Sequence, residues 1–440
     1  MNKMTEGSVY RHLLAYALPL IFGNIFQLTY NAVDAIIIGK FAGEPAVAAV
    51  SSANPVMTIV ILGVSGMCIG ASVLMSEFYG SGDEENLKKE FSTMLTAGIL
   101  FSLTVFAAGM ILSPEILRLM KVPDDILGDA CVYLRIIFFG FLFTFLYNAL
   151  SSALRSIGDS RTPVRFLMIS SVLNGCLDAV FIALFHMGTA GAGLATVIAE
   201  GVSVVLCIMT IRRKNRILRL KREEWTVDRE LLKKTVKHGG ITALQQCCQP
   251  IGKAMIQSCI NMQGITVIAA FNAVNRVDDF ACVPAQSISH GMMTCVAQNR
   301  GAGKQGRVRE TLIKGLRLEF LYGILICITT LILKTPVMHI FAPEDSVEMI
   351  RMGTSYLTLM AFFYFFPGMT NGMQGYYRGI RKMTVTLIGT ITQISVRVIV
   401  IFILVPRIGM DGAAYACAAG WTMMLLFEVP YYFRLKHRNA

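Results

Sequence analysis

Stretches of mainly apolar residues alternate with short polar connections along the whole chain. Each stretch is long enough to cross a hydrocarbon core of about 30 Å at about 1.5 Å per residue, whereas a barrel strand needs only about ten alternating residues. The pattern therefore predicts an all-α polytopic membrane protein with twelve transmembrane helices. Their predicted ranges are 13–38, 46–76, 92–112, 129–154, 163–186, 190–211, 238–262, 265–297, 313–333, 350–376, 384–405 and 412–433.

The first span carries a polar seam. Asn24, Gln27, Asn31 and Asp34 follow one another at helical spacing, so all four side chains project from one face. An acid within a membrane span costs about 2.5–3.5 kcal/mol on insertion scales and usually faces a wet cavity or a partner. Pro19, earlier in the same helix, removes one backbone hydrogen bond and favours a kink. The seam indicates a transport site, with a packing carboxylate as the alternative.

The composition supports a membrane protein, since 54% of the residues are hydrophobic and 15% are charged. With the N-terminus inside, the inner segments hold 30 of the 40 Lys and Arg residues and the outer connections hold five. This asymmetry predicts a multi-pass protein of the cytoplasmic (inner) membrane with both termini cytoplasmic. It also accounts for the net charge of +12 without a nucleic-acid partner. The first apolar run lacks a cleavage site and is expected to stay as a spanning helix.

Two sequence segments recur with the same separation. Residues 77–83 return as 298–304, and residues 188–193 return as 409–414, each 221 residues later. Six spans per half is an even number, so the two halves start on the same side of the membrane. The chain is therefore predicted to form two parallel six-helix bundles, related by a pseudo-two-fold axis along the membrane normal, that rock to alternate access.

The predicted domains follow from this repeat. They are an N-terminal bundle over 1–211, a basic cytoplasmic linker over 212–237 and a C-terminal bundle over 238–440. The linker has the strongest run of positive charge, which favours contact with anionic headgroups.

Cysteine and histidine give no support for a metal centre or an enzyme. The eleven Cys lie in apolar spans without metal-ligand spacing, where free Cys behaves as a small hydrophobe. The six His are scattered singly, and no hydrolase or phosphate-cradling motif lies within a span. We expect no enzymatic activity, no cofactor, and no metal other than a sodium ion at a coupling site.

The chain resembles the multidrug and toxic compound extrusion (MATE) family over nearly its whole length. The order and spacing of several short motifs carry the resemblance, as no single motif does. They are Val33-Asp34, Gly80-Ser81-Gly82, the segment 155–163, Asn174-Gly175-Cys176-Leu177-Asp178, Gly191-Ala192-Gly193-Leu194-Ala195-Thr196 and Gly301-Ala302-Gly303.

The resemblance implies export of organic, often cationic compounds in exchange for protons or sodium. It also implies a set of coupling residues in the first half: Asp34, Asn174, Asp178 and Thr196, with Pro19, Gln27 and Asn31 beside them. Other branches of the family carry acids in spans seven and ten. This chain has Lys253 in span seven and no acid in the apolar part of span ten, which favours coupling through the first half.

Depth along the helices agrees with such a site. Asp34 lies about 21 residues and ~31 Å from the inner end of its span, and Asp178 about 15 residues and ~22 Å. Asn174 and Asp178 are four residues apart and share a helix face. Two acids that meet in a low-dielectric bundle hold a proton or a cation between them. Glu200, one turn past Thr196, is a further candidate for this network.

The second half places charges near mid-depth of its spans. Lys253, Arg276 and Arg397 lie in spans seven, eight and eleven, and Arg276 and Asp279 are spaced to form a pair. We interpret these residues as a structural charge network. If Lys253 or Arg397 instead faced the cleft unpaired, an anionic or zwitterionic cargo would be favoured.

Three functions remain open to the sequence. The first is an ion-coupled exporter of amphipathic compounds, acting as a monomer on small organic molecules in the bilayer. The second is a flippase for lipid-linked saccharides, which the basic residues of the second half keep open. The third is an intramembrane enzyme or scaffold, against which the missing catalytic motifs argue.

Overall fold

The structure, a computed structural model, describes residues 3–341 and 346–438, apart from the side chains of Asn31, Ala35 and Arg438. These residues form thirteen α-helices and no strand, so the predicted all-α class is confirmed. The helices are α1 (Val9–Phe41), α2 (Gly43–Ser81), α3 (Glu84–Leu119), α4 (Asp124–Ser156), α5 (Arg161–Asp178), α6 (Gly188–Lys214), α7 (Arg229–Asn261), α8 (Ile265–Gly301), α9 (Gln305–Phe341), α10 (Val347–Phe363), α11 (Phe365–Gly379), α12 (Met383–Ile408) and α13 (Asp411–Arg438).

Nine helices in the described part of the chain are long and apolar enough to cross a membrane. Helices α7 and α8, of 33 and 37 residues, are long enough but are not among these nine. Helices α10 and α11, of 17 and 15 residues, together occupy the predicted tenth span. Counted as one interrupted span, they leave the chain with two sets of six spans.

The tenth span is broken at Tyr364, which the sequence analysis did not predict. Pro367 lies in the first turn of α11, where its missing N–H group would have no partner within the helix in any case. The proline ring also clashes with the carbonyl group four residues earlier, here that of Phe363, the last residue of α10. The break therefore follows from where the proline stands.

Backbone geometry repeats along with the sequence. Residues in the left-handed region occur at matching turns of the two halves, 221 residues apart in three pairs and 223 in the fourth. The pairs are Gly43 and Gly264, Gly82 and Gly303, Gly188 and Gly409, and Gly158 and Arg381. The two halves thus share their turns as well as their spans.

The first compact unit consists, among the described residues, of Lys3 and Phe22–Ala243. In this unit α4 packs against α2, α3 and α6. Glycines of α3 admit aromatic rings of α4: a Cβ at Gly98 would lie 1.8 Å from the Phe145 ring, and one at Gly109 2.3 Å from the Phe138 ring. The same close approach joins α2 to the first part of α7, where a Cβ at Gly66 would lie 2.4 Å from a backbone Cα.

The connection between α6 and α7 is anchored within the first unit. Of the predicted linker 212–237, the two ends continue the flanking helices. Buried Ser92 donates its hydroxyl to the carbonyl of Thr226 and accepts from the N–H of the same residue, both at 2.9 Å. Lys88 Nζ lies 2.7 Å from Glu224 Oε1, and this hydrogen bond holds the pKa of the Glu224 carboxyl below its usual range.

The second compact unit consists of Met4–Ile21 and the described residues from Leu244 onward. Its core includes Phe271 and Tyr356, whose rings pack edge to face with centroids 6.4 Å apart. The segment before α1 is held here, because the N–H of Met4 donates to Gln298 Oε1 at 3.1 Å. Helix α1 therefore supplies its first part to this unit and its remainder to the other.

Candidate functional site

The polar seam of α1 lies on the part of this helix that belongs to the first unit. Asn24, Tyr30 and Asp34 are half-buried, and Gln27 is exposed. The side chain of Asn31 lies outside the described residues. Pro19 stands inside a helix that continues without a break on both sides of it.

Asp34 of α1 and Asp178 at the end of α5 meet. Their carboxyl groups lie close enough to interact electrostatically. Asp178 is fully buried, and its Oδ1 has no hydrogen-bond partner among the N–H and O–H donors of the described chain. Two carboxylates this close repel each other in a low-dielectric site, so a proton or a cation that reduces their charge would stabilise the pair.

Two further side chains orient the acid pair. Asn174 Nδ2 donates to Asp178 Oδ2 at 3.0 Å. The Tyr30 hydroxyl donates to Asn174 Oδ1 and lies 3.4 Å from Asp178 Oδ2. Gly175 lies beside the tyrosine ring, where a Cβ would make an ordinary van der Waals contact at 3.6 Å.

A π-helical turn begins directly after Asp178. Helix α5 ends at this residue and continues as a π-helical turn over Ala179–Leu184. Such a turn widens the hydrogen-bond ladder and often marks a functional site. Asp178 is thus placed by an irregular segment that a hydropathy pattern does not reveal.

The structure does not bring Thr196 to the acid pair by hydrogen bonding. Its hydroxyl donates to the carbonyl of Ala192, one turn earlier in α6, at 3.0 Å. Glu200 accepts from Thr144 of α4 at 2.5 Å. Tyr133 of α4 interacts electrostatically with Asp34, Asp178 and Glu200, so Glu200 lies in the same electrostatic neighbourhood.

Tyr30 is the site residue that sequence reasoning missed. It stands four residues before Asp34 and three after Gln27, so the spacing that identified the seam also includes it. An aromatic residue in a membrane span is read by default as packing, which explains the omission.

In the second unit, Asp279 pairs with a partner other than Arg276. Lys253 Nζ of α7 lies 2.9 Å from Asp279 Oδ1 of α8. Arg276 is exposed and forms no ion pair within residues 3–341 and 346–438. Helix packing, which decides the neighbours of α8, overrides the spacing along this helix.

Arg397 of α12 belongs to a different cluster. It interacts electrostatically with Asp278, whose carboxylate accepts hydrogen bonds from the hydroxyl groups of Tyr356 and Tyr364. Cys417 of α13 also interacts electrostatically with Arg397. Of the four residues predicted as one network, Lys253 pairs with Asp279, Arg397 lies beside Asp278, and Arg276 joins neither group.

The chemistry of the first unit's site suits a proton or a small hard cation. Carboxylate and amide oxygens are available from Asp34, Asp178 and Asn174. Asn174 Oδ1 accepts one hydrogen bond from the Tyr30 hydroxyl, which leaves its second lone pair available to a cation. Within the described residues, no cluster of three or more His, Cys, Asp or Glu side chains suits a metal ion.

Two six-span repeats, one of them with a buried acid pair, define a polytopic membrane transporter. The family model MatE matches the chain twice, over residues 19–180 and 242–403. The chain therefore belongs to this family, that of the MATE multidrug efflux transporters, and the resemblance drawn from its motifs is confirmed.

Individual relatives agree with this assignment. The probable multidrug resistance protein YpnP of Bacillus subtilis is 28% identical over 386 residues, which cover 87% of this chain and 85% of YpnP. A protein named FAD transporter from Shewanella oneidensis is 24% identical, over 78% of this chain and 77% of its own length. A crystal structure of MATE in complex with MaL6 has a TM-score of 0.93 at 19% identity, covering 99% of this chain and 98% of that one. At that identity the structural match shows the fold alone.

Proposed function

We propose that this transporter is a secondary active antiporter that exports amphipathic organic compounds while protons or sodium ions enter. The pair formed by Asp34 and Asp178 carries the coupling ion. The observation that supports this role most directly is the contact between the two carboxyl groups, together with the unpartnered Asp178 Oδ1. Neutralising such a pair requires a proton or a cation, and the transported ion meets that need.

The proposed cycle uses α1 as the moving element. When the ion binds, the pair loses net negative charge, and α1 bends near Pro19. Bending there costs little because Pro19 has no N–H group to donate to the carbonyl of Ala15. Release of the ion on the inner side restores the other form, so that the two six-span bundles alternate access by rocking.

The test is gradient-driven efflux in proteoliposomes that contain the full-length chain. An ethidium-like dye is loaded, and the proton and sodium gradients are collapsed one at a time. We expect loss of efflux with one gradient only, which also identifies the coupling ion. Efflux that persists when both gradients are absent would rule out antiport.

The Asp34→Asn variant tests the site itself. We expect it to insert and fold but to lose gradient-driven efflux. Asp125→Asn makes the same chemical change at an exposed position in the first turn of α4 and should leave efflux unchanged. Undiminished efflux from Asp34→Asn would exclude Asp34 as a coupling residue.

We infer that the protein lies in the cytoplasmic membrane with both termini in the cytoplasm. The support is the excess of Lys and Arg in the segments assigned to the inner side. Protease or antibody access to a tag at each terminus, in spheroplasts and in inverted vesicles, tests this topology. Access to either tag in intact spheroplasts would contradict it.

The charge of the cargo does not follow from the family. Relatives named for multidrug resistance stand beside one named FAD transporter, and FAD carries phosphate groups. A flippase for lipid-linked saccharides, which are also phosphate-bearing, stays the second candidate because of the cations at Lys253 and Arg397. Efflux of the dye by the wild-type chain would count against it.

A further inference from the structure

The second unit contains a cavity of about 300 Å³ between α7, α8 and α12. A volume of this size fits a small aromatic molecule with one charged group. The residues that line it are Lys253, Ala254, Ile256, Gln257, Phe271, Asn275 and Arg397. None of the lining residues in the described structure is acidic, and two are cationic.

Both cations have hydrogen-bond donors to spare. Lys253 donates to Asp279, but its ammonium group has three hydrogens and its side chain is 65% exposed. Arg397 Nε is buried and donates to no acceptor in the described part of the chain. Arg397 also lines the cavity, so its guanidinium group adds a second positive charge to the wall.

The cavity also has an apolar wall and two amides. Ile256 and Phe271 supply the wall, and the amide groups of Gln257 and Asn275 supply neutral polar groups beside it. Pockets that combine an apolar lining with a few polar groups are typical of small-molecule sites. This lining suits a ligand with a flat apolar part and a charged end.

The repeat relates this cavity to the acid pair of the first half. The two family matches are 223 residues apart at both ends, as are the left-handed residues that precede α5 and α12. At this separation Arg397 takes the place of Asn174, and the apolar Ile401 takes the place of Asp178. The second half therefore has a basic cavity on the helices that correspond to those of the acid pair in the first half.

We propose that the cavity binds an organic anion, whose carboxylate or phosphate lies between Lys253 and Arg397 and whose aromatic part packs on the wall formed by Ile256 and Phe271. The role of this anion as cargo of the antiporter rests on the proposed function, whereas its binding to the cavity does not. The structural alternative is that Lys253 and Arg397 serve only to neutralise Asp279 and Asp278.

Equilibrium binding without any ion gradient tests the proposal. The full-length chain is placed in phosphatidylcholine nanodiscs and titrated with three matched probes: 2-naphthoate, its neutral carboxamide and the cation 2-naphthylmethylammonium. We expect the carboxylate to bind at least about tenfold more tightly than the amide or the cation, as a hydrogen bond to a charged group provides. Equal affinity for the three probes, or no binding, would overturn the proposal.

Variants of α7 and α8 separate ligand binding from a structural role. Lys253→Gln should weaken naphthoate binding about tenfold or more, and Lys253→Arg should retain most of it. Asp279→Asn should tighten binding, because it frees the ammonium group from its intramolecular acid. A purely structural pair would give no tightening, and that result would count against the site.

A matched control checks for a general charge effect. Arg351→Gln also removes one paired cation from the second unit, since Arg351 bonds to Glu348 at the start of α10 and is 70% exposed. We expect it to leave naphthoate binding unchanged. If it weakens binding as much as Lys253→Gln does, the proposal is wrong.

Two sources of the anionic group are distinguished by competition. Displacement of naphthoate by inorganic phosphate indicates a soluble anion, and displacement by phosphatidylglycerol added to the nanodiscs indicates a lipid headgroup. Either result supports anion recognition. Because no gradient is used, an inactive Asp34→Asn variant should still bind naphthoate, so a failure of coupling and a failure of this site give different results.

Discussion

Replacing Asp178 by Asn, alone and together with Asp34→Asn, tests whether the two acids act as one unit. Asparagine keeps an oxygen that accepts from Asn174 and supplies an N–H group that donates to the Asp34 carboxyl. The change is nearly isosteric, so we expect the variant to fold. It places a fixed hydrogen where the exchangeable ion would bind and leaves Asp34 as the single acid, so the site should bind the coupling ion less tightly.

The expected loss of affinity for the coupling ion follows from the hydrogen bonds that are lost. A hydrogen bond to a charged group contributes about 1.5–3 kcal/mol, which corresponds to roughly 10–150-fold in affinity for the coupling ion. Because both acids hold the same ion, the Asp34→Asn and Asp178→Asn variants should each lose this affinity, and the double variant should lose no more. Two independent sites would instead give losses that multiply.

The assay measures initial efflux of dye from proteoliposomes as a function of the imposed ion gradient. Four proteins are compared: wild type, Asp34→Asn, Asp178→Asn and the double variant. Matched amounts of folded protein are confirmed by size-exclusion chromatography and circular dichroism. A double variant about tenfold or more below each single variant would refute the shared-ion argument.

Three further changes have defined outcomes. Tyr30→Phe removes one hydroxyl hydrogen bond at the acid pair and should slow gradient-driven efflux about fivefold without abolishing it, measured in the same vesicles. Ser92→Ala removes both hydrogen bonds to Thr226 and should lower the free energy of unfolding by about 1–3 kcal/mol, measured by thermal unfolding in detergent. Asp83 caps α3, and its hydrogen bonds from Asn86 lower the pKa of the Asp83 carboxyl; its replacement by Ala should cost about 1 kcal/mol at neutral pH. That cost should shrink progressively as the pH falls below ~4 and through the lowered pKa of the folded Asp83 carboxyl, which is then protonated in the wild type.

Each of these changes has a control. Tyr415→Phe alters an exposed tyrosine of α13 and should not affect efflux. Ser81→Ala removes one exposed hydroxyl bond within α2 and should change stability by less than about 0.5 kcal/mol. For Asp83→Ala, a stability loss that is the same at acidic and neutral pH would show that the carboxylate is not its cause.

The sequence by itself determined the class, the helices and the position of the polar seam. Helical periodicity is set by hydrogen bonds between near neighbours, so it placed Gln27 and Asp34 on one face of α1, and Asn174 and Asp178 on one face of α5. Hydropathy predicted the spans, and the positions of Lys and Arg predicted their orientation, because both are read from short stretches of the chain. The recurring segments revealed the repeat because they keep a constant separation.

The tertiary structure decided which of these faces meet. The rotation of each helix about its axis depends on packing with its neighbours, as where a Cβ at Gly23 of α1 would lie 2.7 Å from Val164 of α5. Such packing brings Asp34 to Asp178, which is 144 positions away. Packing also leaves the Thr196 hydroxyl bonded within its own helix, and it pairs Asp279 with Lys253 instead of Arg276. Contacts between distant helices depend on steric fit over the whole unit, which no local pattern of residues encodes.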